Sequence, residues 1–164
     1  MPGWSSEIAD EFLRMAASEG KAFTQMHLQE LVYIAHGWCL ALTGEPLTGD
    51  RPEALEHGPE YRRLANAHWK SGIQPIAAPS ARSIHGETSS RSDAIDVDGA
   101  LNATERAIMT KVYAEYGMRL TAELGVLTRA HDTPWYQVYA DGRGKGRDIA
   151  HRLIRDQFAK LAAA

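Results

Sequence analysis

The chain has one cysteine among its 164 residues, so it cannot form an internal disulfide bond. It also lacks any CxxC pair, and a structural zinc site needs four ligands that this sequence does not supply in a standard set. Cys39 lies in the middle of an apolar stretch, where a thiol is usually a small core side chain. We therefore expect a protein of a reducing compartment, most simply the cytoplasm, with no metal or other cofactor.

Long apolar runs and an excess of basic charge are also missing. The apolar stretch Leu31–Leu42 is well short of the roughly 18 residues that a membrane-spanning helix needs. The N-terminus has no basic segment followed by an apolar run, so we expect no signal peptide. The net charge of −3 argues against a general nucleic-acid binder, whose footprint is a basic excess.

The sequence contains no recognised catalytic motif, because HExxH and GxSxG are absent and the histidines are scattered. His36 and Cys39 share a helix face and would supply half of a metal site, but a core cysteine beside a tolerated histidine is favoured. The loop DGRGKGRD at 141–148 could hold a phosphate, yet it follows a helix and lacks the spacing of a phosphate-binding fingerprint. We expect a protein that is not an enzyme, and a metal-dependent enzyme is the least favoured alternative.

The most informative stretch runs from Thr24 to Gly44. Its apolar side chains recur at spacings of three or four and then widen until they surround the helix; the stripe is Leu28, Leu31, Ala35, Trp38 and Leu42. A helix that is apolar nearly all round and too short for a membrane is buried in a core. We predict an all-α fold, in which residues 1–164 form one compact helical domain around a buried central helix at about residues 25–43.

Other helices are predicted from their capping residues. The predicted N-caps are Ser5 or Ser6, Thr24, Asn102, Thr121, Thr133 and Asp148. Asn102 is followed by Glu105 in a capping box, and Thr133 is followed by proline. Residues 77–100 have no hydrophobic period and are predicted to form a mobile loop.

The segment after the central helix is broken by prolines and glycines. A short β-hairpin in residues 45–57 is predicted, with Leu47 and Leu55 as inward positions. Gly58-Pro59 is then interpreted as a helix start, since proline at the first helical position loses no hydrogen bond. The inward face of that helix is predicted to be Tyr61, Leu64, Ala65 and Trp69.

Three segments occur in a specific order: HLQELVYIAHGWCLALTGEPL, RPEALEHGPEYRRL and LTRAHDTPWYQVY. The residues that carry the pattern are Leu28, Leu31, Tyr33, Gly37, Trp38, Glu53-Ala54, Gly58-Pro59 and Pro134-Trp135. Over about residues 5–160 this succession resembles the Panacea domain, which occurs in SocA-type antitoxins and in phage-associated proteins such as GepA.

The resemblance implies a helical domain that acts by binding another protein. Family members neutralise diverse toxins by direct contact or, in SocA, by delivering the toxin to the ClpXP protease. The implied partner is therefore a cognate toxin, with a ClpXP-type protease as a second partner under the delivery mechanism. The sequence does not specify the toxin, the homo-oligomeric state or a phage origin.

Three positions depart from the family pattern, and they surround Gly58-Pro59. Leu55 replaces a tryptophan, His57 replaces an aromatic residue, and Glu60 replaces a small aliphatic residue. Because departures cluster where a binding surface would be retuned, we predict a partner-binding site at His57, Gly58, Pro59, Glu60, Tyr61 and Arg62. The alternative is a turn that only reverses the chain.

A nucleic-acid-binding regulator is the main alternative function. Its phosphate contacts would come from Arg62, Arg63 and Lys70 together with Arg143, Lys145 and Arg147. This function requires the two sets of basic residues to adjoin, and it predicts affinity that falls steeply with salt.

Overall fold

The computed structural model describes residues 2–77 and 101–164, and these contain seven α-helices and one antiparallel β-hairpin. The elements are α1 (Ser5–Ser18), α2 (Gln25–Thr43), β1 (Glu53–Leu55), β2 (Gly58–Glu60), α3 (Arg62–His68), α4 (Ala103–Tyr116), α5 (Thr121–Thr128), α6 (Pro134–Tyr139) and α7 (His151–Ala163). Short 3₁₀ turns follow α3 at Trp69–Ser71 and α6 at Ala140–Gly142. The loop predicted at 77–100 lies, apart from its first residue, outside the described residues.

Helix α2 lies at the centre of the fold, as predicted. Every residue from Leu28 to Gly37 is buried, and α2 packs against α1, α3, α4, α5 and α7. The prediction is wrong for the last turn, where Leu42 is 61% exposed while Leu40 is still buried. The apolar stripe therefore ends about one turn before the helix does, and the predominantly helical fold is confirmed.

The close packing of α7 on α2 depends on a glycine. The ring of Phe158 lies so close to Gly37 that any Cβ at this position would overlap it. Phe158 is fully buried, and its ring makes edge-on contacts with Tyr33 and Trp38 at centroid separations of 6.2 and 5.3 Å. Gly37 is thus needed for steric reasons, which explains one residue of the family pattern.

Three predicted N-caps are confirmed. Thr24 Oγ1 accepts a hydrogen bond from the backbone N–H of His27 at 3.2 Å, and Thr133 Oγ1 accepts from Tyr136 at 3.3 Å. Asn102 Oδ1 accepts from the Glu105 N–H at 2.8 Å, and the Glu105 carboxylate accepts from the Asn102 N–H at 3.2 Å. These reciprocal bonds form the predicted capping box.

The other three predicted caps are wrong. Ser5 and Thr121 are the first residues inside their helices, and Asp148 precedes α7 by three positions. Helix α1 is instead capped from a distance, because the Asp50 carboxylate accepts from the Ser5 N–H at 2.8 Å and from the Ser5 hydroxyl at 2.5 Å. Asp148 cannot cap a helix because residues 146–149 pair with the hairpin segment.

The predicted hairpin is present, but its position differs. The register pairs Glu53 with Glu60, Ala54 with Pro59 and Leu55 with Gly58. Gly58-Pro59 therefore belongs to β2, and the prediction that it begins a helix is wrong. A strand is favoured here because Gly58 adopts φ +128°, a conformation that suits glycine in a tight connection and not the start of a helix.

The inward positions of this region are partly as predicted. Leu47, Tyr61 and Leu64 are fully buried. In β1 the buried residue is Ala54 and not Leu55, because successive strand residues point to opposite faces. Trp69 is also wrongly predicted, since it is 69% exposed on the 3₁₀ turn that follows α3.

The glycine-rich loop 141–148 lies along the other side of β1. The Ala54 N–H donates to the Arg147 carbonyl and the Gly146 N–H donates to the Ala54 carbonyl, both at 2.8 Å. The Ile149 N–H donates to the Pro52 carbonyl at 2.8 Å. The hairpin is therefore held on its outer edge by the segment that leads into α7.

Among the described residues, none of the helices combines the length and the apolar character that crossing a bilayer requires.

Candidate functional site

A groove lies between the first turns of α2, the hairpin and α5. Its volume is about 390 Å³. It is lined by α2 with its cap Thr24, by residues 57–60, by Gly72-Ile73, and by Thr121 and Thr128 of α5. We call it the α2–β2 groove. Its volume and mixed lining are typical of a binding site.

The hairpin wall is fixed to α2 by one buried amide. Gln29 Oε1 accepts from the Tyr61 N–H at 2.7 Å, and Gln29 Nε2 donates to the Tyr61 carbonyl at 3.1 Å. Because the side chain satisfies both backbone groups of the residue that follows β2, it sets the distance between the two walls.

Two further side chains hold the hairpin turn. Trp135 Nε1 donates to the Leu55 carbonyl at 2.7 Å. The Arg129 guanidinium donates to the His57 carbonyl and, through its other terminal nitrogen, to the Thr121 carbonyl, each at 3.2 Å. The groove is therefore preformed, which lowers the ordering cost of binding a partner.

Glu30 lies in the α2 wall and is 5% exposed. Neither of its carboxylate oxygens has a hydrogen-bond partner among the described residues. Burial raises the pKa of Glu30 to about 7, and the positive charge of Arg129 opposes this rise. Buried charged groups in proteins are normally paired. Glu30 is an exception, because its carboxyl group has no hydrogen-bond donor among the described residues.

The remaining lining adds a second acid and an apolar rim. Glu60 enters the groove from β2, and burial, followed by the charge of Glu53, raises the pKa of its carboxyl group. Met26 and Ile73 line the groove with exposed fractions of 43% and 88%. The groove therefore has acidic groups inside and apolar side chains at its mouth.

The structure brings four of the six predicted site residues together in one wall: His57, Gly58, Pro59 and Glu60. Tyr61 is fully buried, so its side chain supports the wall from the core and is not exposed to a partner. Arg62 is exposed outside the groove and forms an ion pair with Glu53 at 2.9 Å. The helix start that we predicted at Gly58-Pro59 is not formed, because this segment is a strand.

His36 has a defined structural role that the sequence did not reveal. Its Nδ1 accepts from the backbone N–H groups of Leu47 and Thr48, each at 3.3 Å. Its Nε2 lies 2.9 Å from Nδ1 of His151, so the Nε2–H donates to His151 and both rings are neutral. Burial lowers the pKa of His36 to about 3, helped by His151, and burial also lowers the pKa of His151.

Cys39 is a buried core residue, as predicted, and burial raises the pKa of its thiol. Its Sγ lies 3.7 Å from Thr43 Oγ1. Within residues 2–77 and 101–164, no group of three or more His, Cys, Asp or Glu side chains is arranged to hold a metal ion.

Several basic residues of the nucleic-acid alternative are engaged within the chain. Arg62 pairs with Glu53, and the Arg63 guanidinium lies 3.8 Å from the centroid of the Trp4 ring. Arg143 donates to the Ala140 carbonyl at 3.1 Å. These contacts orient the charges toward neighbouring groups of the same chain.

The family of the chain follows from comparison with known proteins. A family model described as antitoxin SocA-like, Panacea domain, matches residues 28–136, which is more than half of the sequence. The chain belongs to the SocA-like Panacea family. Comparisons with curated proteins and with solved structures gave no match.

The residues matched by the Panacea family model include most of the α2–β2 groove and the side chains that hold the hairpin. Glu30, Gln29, Arg129 and Trp135 all lie within the match, as do residues 57–60. Membership in an antitoxin family indicates an antitoxin-like role with a protein partner, and it favours a non-enzymatic function.

Proposed function

We propose that this Panacea protein is a cytoplasmic antitoxin that neutralises a partner toxin, either by direct contact or by delivering it to a ClpXP-type protease. The observation that carries the proposal is the family match over residues 28–136. The binding surface in this proposal is the α2–β2 groove together with residues 57–62, from the hairpin turn to the start of α3. Tyr61 contributes by supporting the hairpin from the core.

The geometry of the hairpin supports this location. The backbone of the hairpin and of the residue that follows it is hydrogen-bonded to Gln29 of α2, to Arg129 at the end of α5, to Trp135 of α6 and to the segment before α7, so the hairpin is anchored on several sides. The residues that depart from the family pattern, Leu55, His57 and Glu60, lie on this same element. A rigid scaffold that carries variable side chains is a common way to bind different partners.

Co-expression with the product of the neighbouring gene tests the function. We expect the neighbouring protein to arrest growth when expressed alone, and this chain to restore growth and to co-purify with it. A neighbour that is harmless alone and forms no complex would contradict the proposal.

The two mechanisms differ in what happens to the toxin. Under delivery to a protease, the toxin level rises in cells without ClpXP, while under direct neutralisation it does not change. An immunoblot of the tagged toxin with and without ClpXP separates them.

Single substitutions test the binding surface. His57→Ala or Glu60→Ala should weaken the complex by more than about 1 kcal/mol with an unchanged melting temperature, since both residues line the groove. Arg62→Ala tests the start of α3 beside the hairpin, where Arg62 pairs with Glu53 of β1. If all three variants bind like the parent, the hairpin is only architecture.

A further inference from the structure

The α2–β2 groove contains a carboxyl group that has no hydrogen-bond partner among the described residues. Each oxygen of Glu30 is buried and lacks a hydrogen bond from any described residue. The positive charge of Arg129 acts on Glu30, but its terminal nitrogens donate to the His57 and Thr121 carbonyls. The Glu30 carboxyl group is therefore left without a donor, while the guanidinium binds backbone groups of the groove walls.

We propose that Glu30 is the receptor for an arginine side chain of the partner protein, which enters the α2–β2 groove and forms a two-pronged ion pair. This inference rests on the proposed function and names the chemistry of the partner at that site. Because both Glu30 oxygens are unpaired, a guanidinium can donate two parallel N–H···O bonds, which an ammonium cannot do.

The rest of the groove fits the other parts of an arginine side chain. Its apolar rim, Met26 and Ile73, can cover the three methylene groups that carry the guanidinium. Glu60 adds a second negative charge on the opposite wall. A volume of about 390 Å³ is large enough for one long side chain but small for a folded element.

The complex with the neighbouring gene product provides the test, using the parent chain and two variants. Glu30→Gln removes the charge and keeps the shape. Glu45→Gln removes the same charge from an exposed position after α2 that does not line the groove, and serves as the matched control. At pH 8 we expect Glu30→Gln to weaken the complex about tenfold or more and Glu45→Gln to stay within about twofold of the parent.

A second measurement identifies the partner group. Each surface arginine of the neighbouring protein is changed to glutamine, and every variant is measured against both the parent chain and Glu30→Gln. Substitution of one of these arginines should weaken binding to the parent chain. The same substitution should have little further effect on binding to Glu30→Gln, because both changes remove the same ion pair. Carboxyl ¹³C NMR should also show that Glu30 titrates below pH 5 in the complex and near neutral pH in the free chain.

The outcomes separate this inference from the proposed function. If the complex forms but Glu30→Gln binds like the parent, the arginine receptor is overturned and the antitoxin function stands. Weaker binding without coupling to any arginine would also overturn it, as would a homodimer of the free chain that dissociates in Glu30→Gln, because a second copy would then fill the groove. If the parent forms no complex, both proposals fall.

Discussion

Glu30 and His36 are two polar side chains of α2, fewer than two turns apart, and both are buried. His36 accepts two backbone N–H groups and donates to His151, so each ring nitrogen has a partner. Neither oxygen of Glu30 has one among the described residues. Burial favours the neutral form of both groups. It lowers the pKa of His36 to about 3 and raises the pKa of Glu30 to about 7.

The difference lies in what each side chain faces. His36 faces the connector after α2 and holds Leu47 and Thr48, which places Asp50 to cap α1. Glu30 faces a cavity that opens to solvent. A satisfied buried polar group helps to specify a fold, whereas an unsatisfied one reduces stability and calls for a functional reason. Opposite effects on stability are therefore expected when each is removed.

The largest effect is expected at His36. His36→Leu introduces an apolar side chain of similar size and leaves the N–H groups of Leu47 and Thr48 buried without a side-chain acceptor. We expect the free energy of unfolding to fall by about 3–5 kcal/mol, as measured by urea denaturation at pH 7.

His131 supplies a matched control for that substitution. It is exposed and stacks on Tyr136, so His131→Leu should change the free energy of unfolding by less than about 0.5 kcal/mol. Equal effects of the two substitutions would contradict a structural role for the His36 network.

The second effect is a loss of stability in acid. Both histidines have lowered pKa values in the fold, whereas unfolded histidines bind protons below about pH 6.5. The histidine contribution to the free energy of unfolding therefore falls as the pH decreases below 6.5, by about 2 kcal/mol between pH 6.5 and 5 from His36 alone.

Glu30 opposes this trend in the parent chain, because a carboxyl group with a raised pKa binds its proton more tightly in the fold. The acid loss is therefore best measured in Glu30→Gln, where it should be steeper than in the parent. A free energy of unfolding in Glu30→Gln that does not change between pH 6.5 and 5 would contradict the neutral histidine pair.

Local patterns predicted the parts of the fold that depend on neighbours in sequence. The apolar stretch predicted α2, and the caps at Thr24, Asn102 and Thr133 bond to backbone groups three residues away. The cap of α1 was missed because Asp50 lies 45 positions from Ser5. The same is true of the His36 pair, whose partner is 115 positions away.

The candidate site was predicted in part. The family departures indicated residues 57–60, which line the groove, although the helix start that we inferred there is a strand. Glu30 was not predicted, because a single glutamate in the first turns of a helix is typical of a solvated position. A sequence signal did exist, since Glu30 directly precedes the continuous apolar stretch, but only the fold shows that it is covered.

The third effect has the opposite sign to the first. Glu30→Gln should stabilise the free chain by about 1–2 kcal/mol at pH 8, where the parent must keep a buried charge without a partner. The folded pKa near 7 lies above the unfolded value of about 4.3, so the parent loses stability as the pH rises through this window.

Urea denaturation of parent and variant at pH 5 and pH 8 checks this prediction. The difference in free energy of unfolding should be smaller at pH 5 than at pH 8, because the folded Glu30 carboxyl group ionises between these two pH values. A variant that is less stable than the parent at pH 8 would mean that Glu30 is paired in the free chain, and the contrast with His36 would then disappear.

The smallest effect is expected at Cys39. Its hydrogen bonding is intermediate between that of His36, which has partners at both ring nitrogens, and that of Glu30, which has none among the described residues. Its thiol is buried, but Thr43 Oγ1 is 3.7 Å away, so the hydroxyl of Cys39→Ser has a potential partner one turn along α2. The loss of stability should therefore be less than about 1 kcal/mol, below the 1–3 kcal/mol of an unsatisfied buried hydroxyl. Cys39→Ala, which adds no polar group, is the comparison variant in the same urea titration.

Partner affinity should not change in either variant, because Cys39 does not line the α2–β2 groove. Weaker binding at an unchanged melting temperature would show that the thiol contributes to the complex.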